Sequence, residues 1–138
     1  MLADIDERAG ADASVRQVMA SSDGAKVLDA LIAWWSGYVA GFVGVSRSVL
    51  AGRAADRALA AAWDDRMAAL MGVCKLVVER CAEDKLLRPG LKRRAATEIL
   101  WGMLSIPLWD QLINDLGWSR RAYRERVGLQ ARATLLAA

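Results

Sequence analysis

Apolar positions recur at three- and four-residue spacing along most of the chain, and no stretch alternates for long enough to be a strand, so the pattern predicts helices alone. Up to Ser22 the chain is polar and Ala-rich, and only Val15, Val18 and Met19 recur at helical spacing, which predicts one short helix after Ser14. Asp23 is a suitable N-cap, and the apolar, proline-free stretch from Ala25 to Val45 predicts a long helix. One side of it carries Leu28, Leu31, Ile32, Trp35, Tyr38, Val39 and Phe42. The opposite side carries Ala30, Ala33, Gly37, Gly41 and Gly44, small residues that let a neighbouring backbone come close. A helix apolar on nearly all sides belongs at a domain centre or in lipid.

Lipid has to be weighed because Ala30 to Ser46 is a 17-residue run without charge, at the lower limit for crossing a bilayer, with Gly37 and Gly41 at the spacing of membrane helix pairs. Against it, Asp29 and Arg47 close the run tightly, and the later helices are amphipathic and need a soluble core to pack on.

Those later helices are well marked. Val45 to Leu50 predicts a short helix ending at Gly52, and Asp56 caps one running to about Asp84. In it, Leu59, Trp63, Met67, Leu70, Cys74, Val77 and Cys81 form a single stripe, with charged residues on the other surfaces. Leu86 to Gly90 turns the chain at Pro89 and Gly90. A helix from near Lys92 points Ala96, Ile99, Leu100, Met103 and Leu104 towards a core, with Trp101 to one side. Pro107 predicts a break near Ile106, then a resumed turn through Leu108, Trp109, Leu112 and Ile113. Gly117 ends that piece, Ser119 caps the last helix, and Tyr123, Val127, Gln130 and Thr134 share one of its faces. The expected organisation is all-α: a polar lead-in over residues 1–24, then one bundle of five to six helices over residues 25–138.

Composition narrows the chemistry. With 138 residues, 55% hydrophobic and 25% charged, the chain is the size of a single-core domain. It has no histidine, which removes the usual general base, the commonest metal ligand and the pH switch of neutral solution. Cys74 and Cys81 lie seven residues apart, about 10.5 Å along a helix axis, too far for a disulfide and unlike a metal spacing. They read as buried, reduced thiols of a cytoplasmic protein. Residues Met1 to Glu7 are acidic, with no apolar core, so no signal peptide is expected.

Catalytic constellations are missing: Asp64 and Asp65 are adjacent and diverge around a helix, while Asp110 and Asp115 suit pairing with an arginine better than catalysis. No nucleophile elbow or phosphate loop is present, so no enzyme activity, metal or cofactor is expected. Residues 1–70 carry 7 bases and 9 acids, and residues 71–138 carry 12 and 7. The basic excess at Lys92, Arg93 and Arg94, and at Arg120, Arg121, Arg124, Arg126 and Arg132, would attract an anion or nucleic acid, or simply form a solvated face. Trp34, Trp35, Tyr38, Phe42, Trp63, Trp101 and Trp109, with Met67, Met71 and Met103, suit an apolar cavity for a flat organic ligand, or else fill a core.

The run Leu86-Leu87-Arg88-Pro89-Gly90, Ala95-Ala96, Ile99-Leu100-Trp101-Gly102, Ser105-Ile106-Pro107-Leu108-Trp109, then Leu116-Gly117-Trp118-Ser119 and Tyr123, resembles the effector domain of TetR-family transcriptional repressors. The likeness extends over roughly Ala25 to Leu136, with Trp35, Tyr38 and Trp63 upstream. It implies an all-helical domain that pairs two copies through its last two helices and receives a small molecule between its central helices. The positions matching the pocket walls are Trp35, Tyr38, Phe42, Trp63, Met67, Leu70, Cys74, Trp101 and Leu104. Those matching the dimer surface are Trp109, Leu112, Tyr123, Val127, Gln130 and Thr134.

In one respect the chain departs from the family. TetR repressors begin with a three-helix DNA-reading domain of about fifty residues, and nothing before Ala25 resembles it. The resemblance therefore implies a cytoplasmic ligand-sensing homodimer that meets DNA only through a head these residues do not supply. The alternatives are a ligand-free dimerisation module, a small membrane-associated protein, and a nucleic-acid binder acting through the basic C-terminal half.

Overall fold

The protein is seen in a computed structural model that describes residues 13–41 and 43–138. The acidic first residues, Met1 to Glu7, and the pocket-wall candidate Phe42 lie outside the described residues. All regular structure among those described is helical: α1 (residues 13–19), α2 (Gly24–Ala40), α3 (Val43–Gly52), α4 (Arg57–Glu83), α5 (Arg93–Met103), α6 (Ile106–Asp110) with a π turn at Gln111–Asp115, and α7 (Arg120–Leu135). The one β element is an isolated antiparallel bridge between Leu87 and Leu136, in which Arg88 N–H donates to Leu135 O and Ala137 N–H to Leu86 O, each at 2.8 Å.

Local signals start these helices. The Asp23 carboxylate accepts from Lys26 N–H at 2.9 Å, Asp56 accepts from Ala58 and Leu59 N–H, and Ser119 accepts from Ala122 N–H at 3.0 Å. Gly117 ends the preceding segment at φ +74°, a left-handed conformation that glycine adopts without steric cost.

The expected long helix from Ala25 to Val45 is two helices. α2 stops at Ala40, Gly41 N–H turns back to Tyr38 O at 3.1 Å, and α3 leaves at 74° to it. Gly37, Gly41 and Gly44 weaken helix continuation here, and the bend lays α3 on α4 and α6. The uncharged run Ala30 to Ser46 is thereby broken, and no single described helix is long and apolar enough to cross a membrane. Nor do Gly37 and Gly44 receive a close neighbour: a Cβ on either would meet nothing within 4 Å.

The core forms where α2 lies between α4 and α7, with α5 against α4 and α7. Val27, Leu28, Leu31, Ile32, Trp35 and Val39 of α2 are buried against the α4 stripe of Trp63, Leu70, Cys74, Val77, Val78 and Cys81. Two faces differ from the sequence expectation. On α5 the buried residues are Ala96, Thr97 and Leu100, followed by Leu104 at its C-cap, whereas Ile99 is 37% exposed and Met103 only half-buried. On α7 the buried face runs through Tyr123, Val127, Gly128, Ala131 and Leu135, because α2 packs on its small residues; Gln130 is exposed and Thr134 half-buried. The proline break falls earlier than Ile106: α5 ends at Met103, Ser105 caps α6, and Ile106 and Pro107 start it, where proline's missing N–H is harmless.

Candidate functional site

The pocket-wall candidates are packed together around α4. Trp35, Trp63, Leu70, Cys74 and Leu104 are buried, while Tyr38, Met67 and Trp101 are half-buried. On α2, Trp34 and Tyr38 stack at 5.2 Å between ring centroids, with Trp35 tilted against both. Tyr38 OH accepts from an Arg66 guanidinium nitrogen at 3.2 Å, and the Arg53 guanidinium lies 5.7 Å from the Trp63 ring. Trp101 Nε1 donates to Met67 O at 3.1 Å, which fixes α5 to the middle of α4. These side chains form walls already in contact.

Two hollows lie elsewhere, on the surface. One, about 490 Å³, is a trough between α5, the α6–π segment and α7, lined by Ile99, Met103, Leu108, Leu112, Trp118 and Val127 among others. Gln130 and Arg126 stand on its α7 side, and the Arg126 guanidinium sits 4.6 Å over the Trp118 ring. The other, about 530 Å³, runs between α2 and α7 past Ala33, Gly128, Leu129 and three arginines. None of the described pocket-wall candidates lines either one.

The dimer-surface candidates divide. Leu112, Val127 and Gln130 line the first trough. Trp109 and Tyr123 are core residues of the single chain, their rings edge-to-face at 6.4 Å, and Val127 is also buried despite edging the trough. Thr134 sits half-buried near the end of α7. The family resemblance places all six on an outward-facing surface. Trp109 and Tyr123 are turned inwards because the α6–π segment folds back on α7. What the sequence reading missed is the outward apolar set of exposed Ile99 and Leu108 with half-buried Trp118; the helical spacing points Ile99 towards the core instead.

Several of the basic residues are already engaged. Arg132 makes a two-pronged pair with Asp29, Nε to Oδ1 at 2.8 Å, and Arg47 does the same with Asp110, Nε to Oδ2 at 2.7 Å. That pair, with a hydrogen bond from Asn114, holds the Asp110 carboxyl below its ordinary range. Arg121 pairs with Glu125 and Arg94 with Glu98 within their own helices. Arg80 gathers the carbonyls of Met19, Ser21 and Ser22 and the Asp84 carboxylate, tying the lead-in to the end of α4.

Both cysteines are buried thiols. Burial pushes Cys74 up to about 12 and Cys81 to about 11, the latter helped by Asp84 and Asp23, so neither is a nucleophile near neutral pH. Among the described residues no three His, Cys, Asp or Glu side chains group as metal ligands.

Among the described residues, four buried side-chain polar atoms have no hydrogen-bond partner: Trp35 Nε1, Ser36 Oγ, Trp109 Nε1 and Tyr123 OH. No known family, curated protein or solved structure matches the chain.

Proposed function

We propose that the chain is the small-molecule-sensing, homodimerising domain of a TetR-like transcriptional regulator that works in the cytoplasm, catalyses nothing, and touches DNA only through a separate reading domain. The observation that carries this reading is the apolar trough between α5 and α7. A lone chain leaves Ile99, Leu108 and Trp118 partly in water there, and contiguous apolar surface of that kind is what a twin copy covers. The element boundaries support it: the chain turns at Pro89-Gly90, Ser105 and Gly117-Trp118-Ser119, the segments on which the likeness rests. Sedimentation equilibrium tests it. The intact chain is expected to be dimeric at micromolar concentration, and Ile99→Glu with Leu108→Glu to give a folded monomer; a wild-type monomer at all concentrations overturns the pairing.

A second reading, a dimerisation module that takes no ligand, is favoured by the close packing of Trp35, Leu70, Cys74 and Leu104. Tryptophan quenching by flat apolar compounds separates the two: no response across varied ligands selects the second.

A further inference from the structure

Ser36, Trp109 and Tyr123 come from three different helices, each is at least nine-tenths buried, and each leaves a polar atom unpartnered. They belong to one neighbourhood. Trp109 and Tyr123 touch edge-to-face. α2 runs antiparallel to α7, since Asp29 bonds Arg132 and, one turn along α2, Ala33 shares a groove with Gly128; a further turn brings Ser36 opposite the turn that carries Tyr123. α6, with Trp109, packs on α2, and the π turn that continues it packs on α7.

A buried donor without an acceptor is costly, and three of them at one seam call for a shared acceptor. The indole N–H is a donor only, and burial raises the Tyr123 phenol so that it stays protonated and donates. No charged side chain is buried among the described residues, so an ion entering here would meet no counter-charge. The shortest part of the wall is α6, five residues long and continuing into a π turn with no buried residue, a rare geometry associated with functional sites.

We propose that the α2–α6–α7 seam is the ligand site, taking a small, flat, neutral molecule with a hydrogen-bond-accepting carbonyl that bonds Ser36, Trp109 and Tyr123 when the α6–π segment moves outwards. The proposal rests on the small-molecule-sensing reading above and names its ligand class and place.

The test is an NMR titration of the intact chain with acetophenone, with α-methylstyrene, which has its shape without the oxygen, and with benzoate, its charged counterpart. Acetophenone is expected to shift the Trp109 indole and the Ser36 and Tyr123 amides, and to bind at least about tenfold more tightly than either comparison compound. Tyr123→Phe is expected to weaken acetophenone several-fold without lowering the melting temperature; if that variant does not fold, Ser36→Ala gives the same readout. Equal binding of acetophenone and α-methylstyrene, or unchanged affinity in the variant, overturns the site. Shifts confined to Trp35, Trp63 and Trp101 overturn it and leave the sensing reading standing. No shift with any of the three compounds overturns it too, with buried water then satisfying the three groups, and quenching by a wider ligand set still decides the sensing reading.

Discussion

Gly24 packs so closely on Cys81 that a Cβ built on the glycine would stand 2.7 Å from the Cys81 Cα, while the Cys81 thiol donates to Gly24 O at 3.3 Å. This is the tightest point in the α2–α4 contact given by any glycine, and Gly24 N–H is held there by Asp84 at 2.8 Å. The clash is with backbone, which does not swing aside. Gly24→Ala is therefore expected to destabilise the fold by about 1–3 kcal/mol in urea titration. Adding Cys81→Ala should not restore it, because the Cα stays in place; recovery in the double variant would show that the sulfur was the obstacle.

The Arg47–Asp110 pair gives a pH dependence whose sign is fixed. Asp110 holds its proton less tightly in the folded chain than in the unfolded one, because Arg47 and then Asn114 bond its carboxylate. Its contribution is present above the unfolded carboxylate value, roughly pH 4, and is lost as pH falls through the lower folded value. Thermal melts of wild type and Asp110→Asn should differ at pH 6 and converge towards pH 2. A constant difference over that range would mean that Asp110 does not titrate with folding.

The Trp101–Met67 bond can be isolated by Trp101→Phe, which keeps most of the ring and removes the donor. A loss of about 1 kcal/mol is expected, with Met67 O left short of a partner. Truncating Leu100, fully buried beside it, to alanine should cost more, about 2–5 kcal/mol. If Trp101→Phe proved the costlier of the two, the indole bond would be anchoring more than the α4–α5 contact.

Both thiols should be silent towards a thiol-reactive disulfide at pH 8 in the native chain and react fully in denaturant. Fast native labelling of Cys81 would show that the α1–α2 connection opens readily, since Gly24 covers it.

How legible the fold was depended on how local each signal is. The α4 stripe and the caps at Asp23, Asp56 and Ser119 stand in the sequence because a cap needs only its own turn and a 27-residue helix repeats its period many times. The end of α2 did not, since a helix apolar on all sides offers no change of face where it stops. The α7 face was misplaced because Gly128 and Ala131 carry little apolar weight, yet their smallness is what admits α2. Sequence located the aromatic side chains inside; whether they fill space or enclose it depends on how three separate helices meet, and Ser36 gave no signal at all until its neighbours were known.

The Leu87–Leu136 bridge joins the tail of the chain to the elbow between α4 and α5, and Arg88 reinforces it by donating to Ala133 O. α7 is thereby pinned at its end to the same elbow from which α5 departs, so the two walls of the trough share one anchorage. Their separation at that end is set before anything else arrives, and clipping the last three residues would loosen it without touching a single residue that lines the trough.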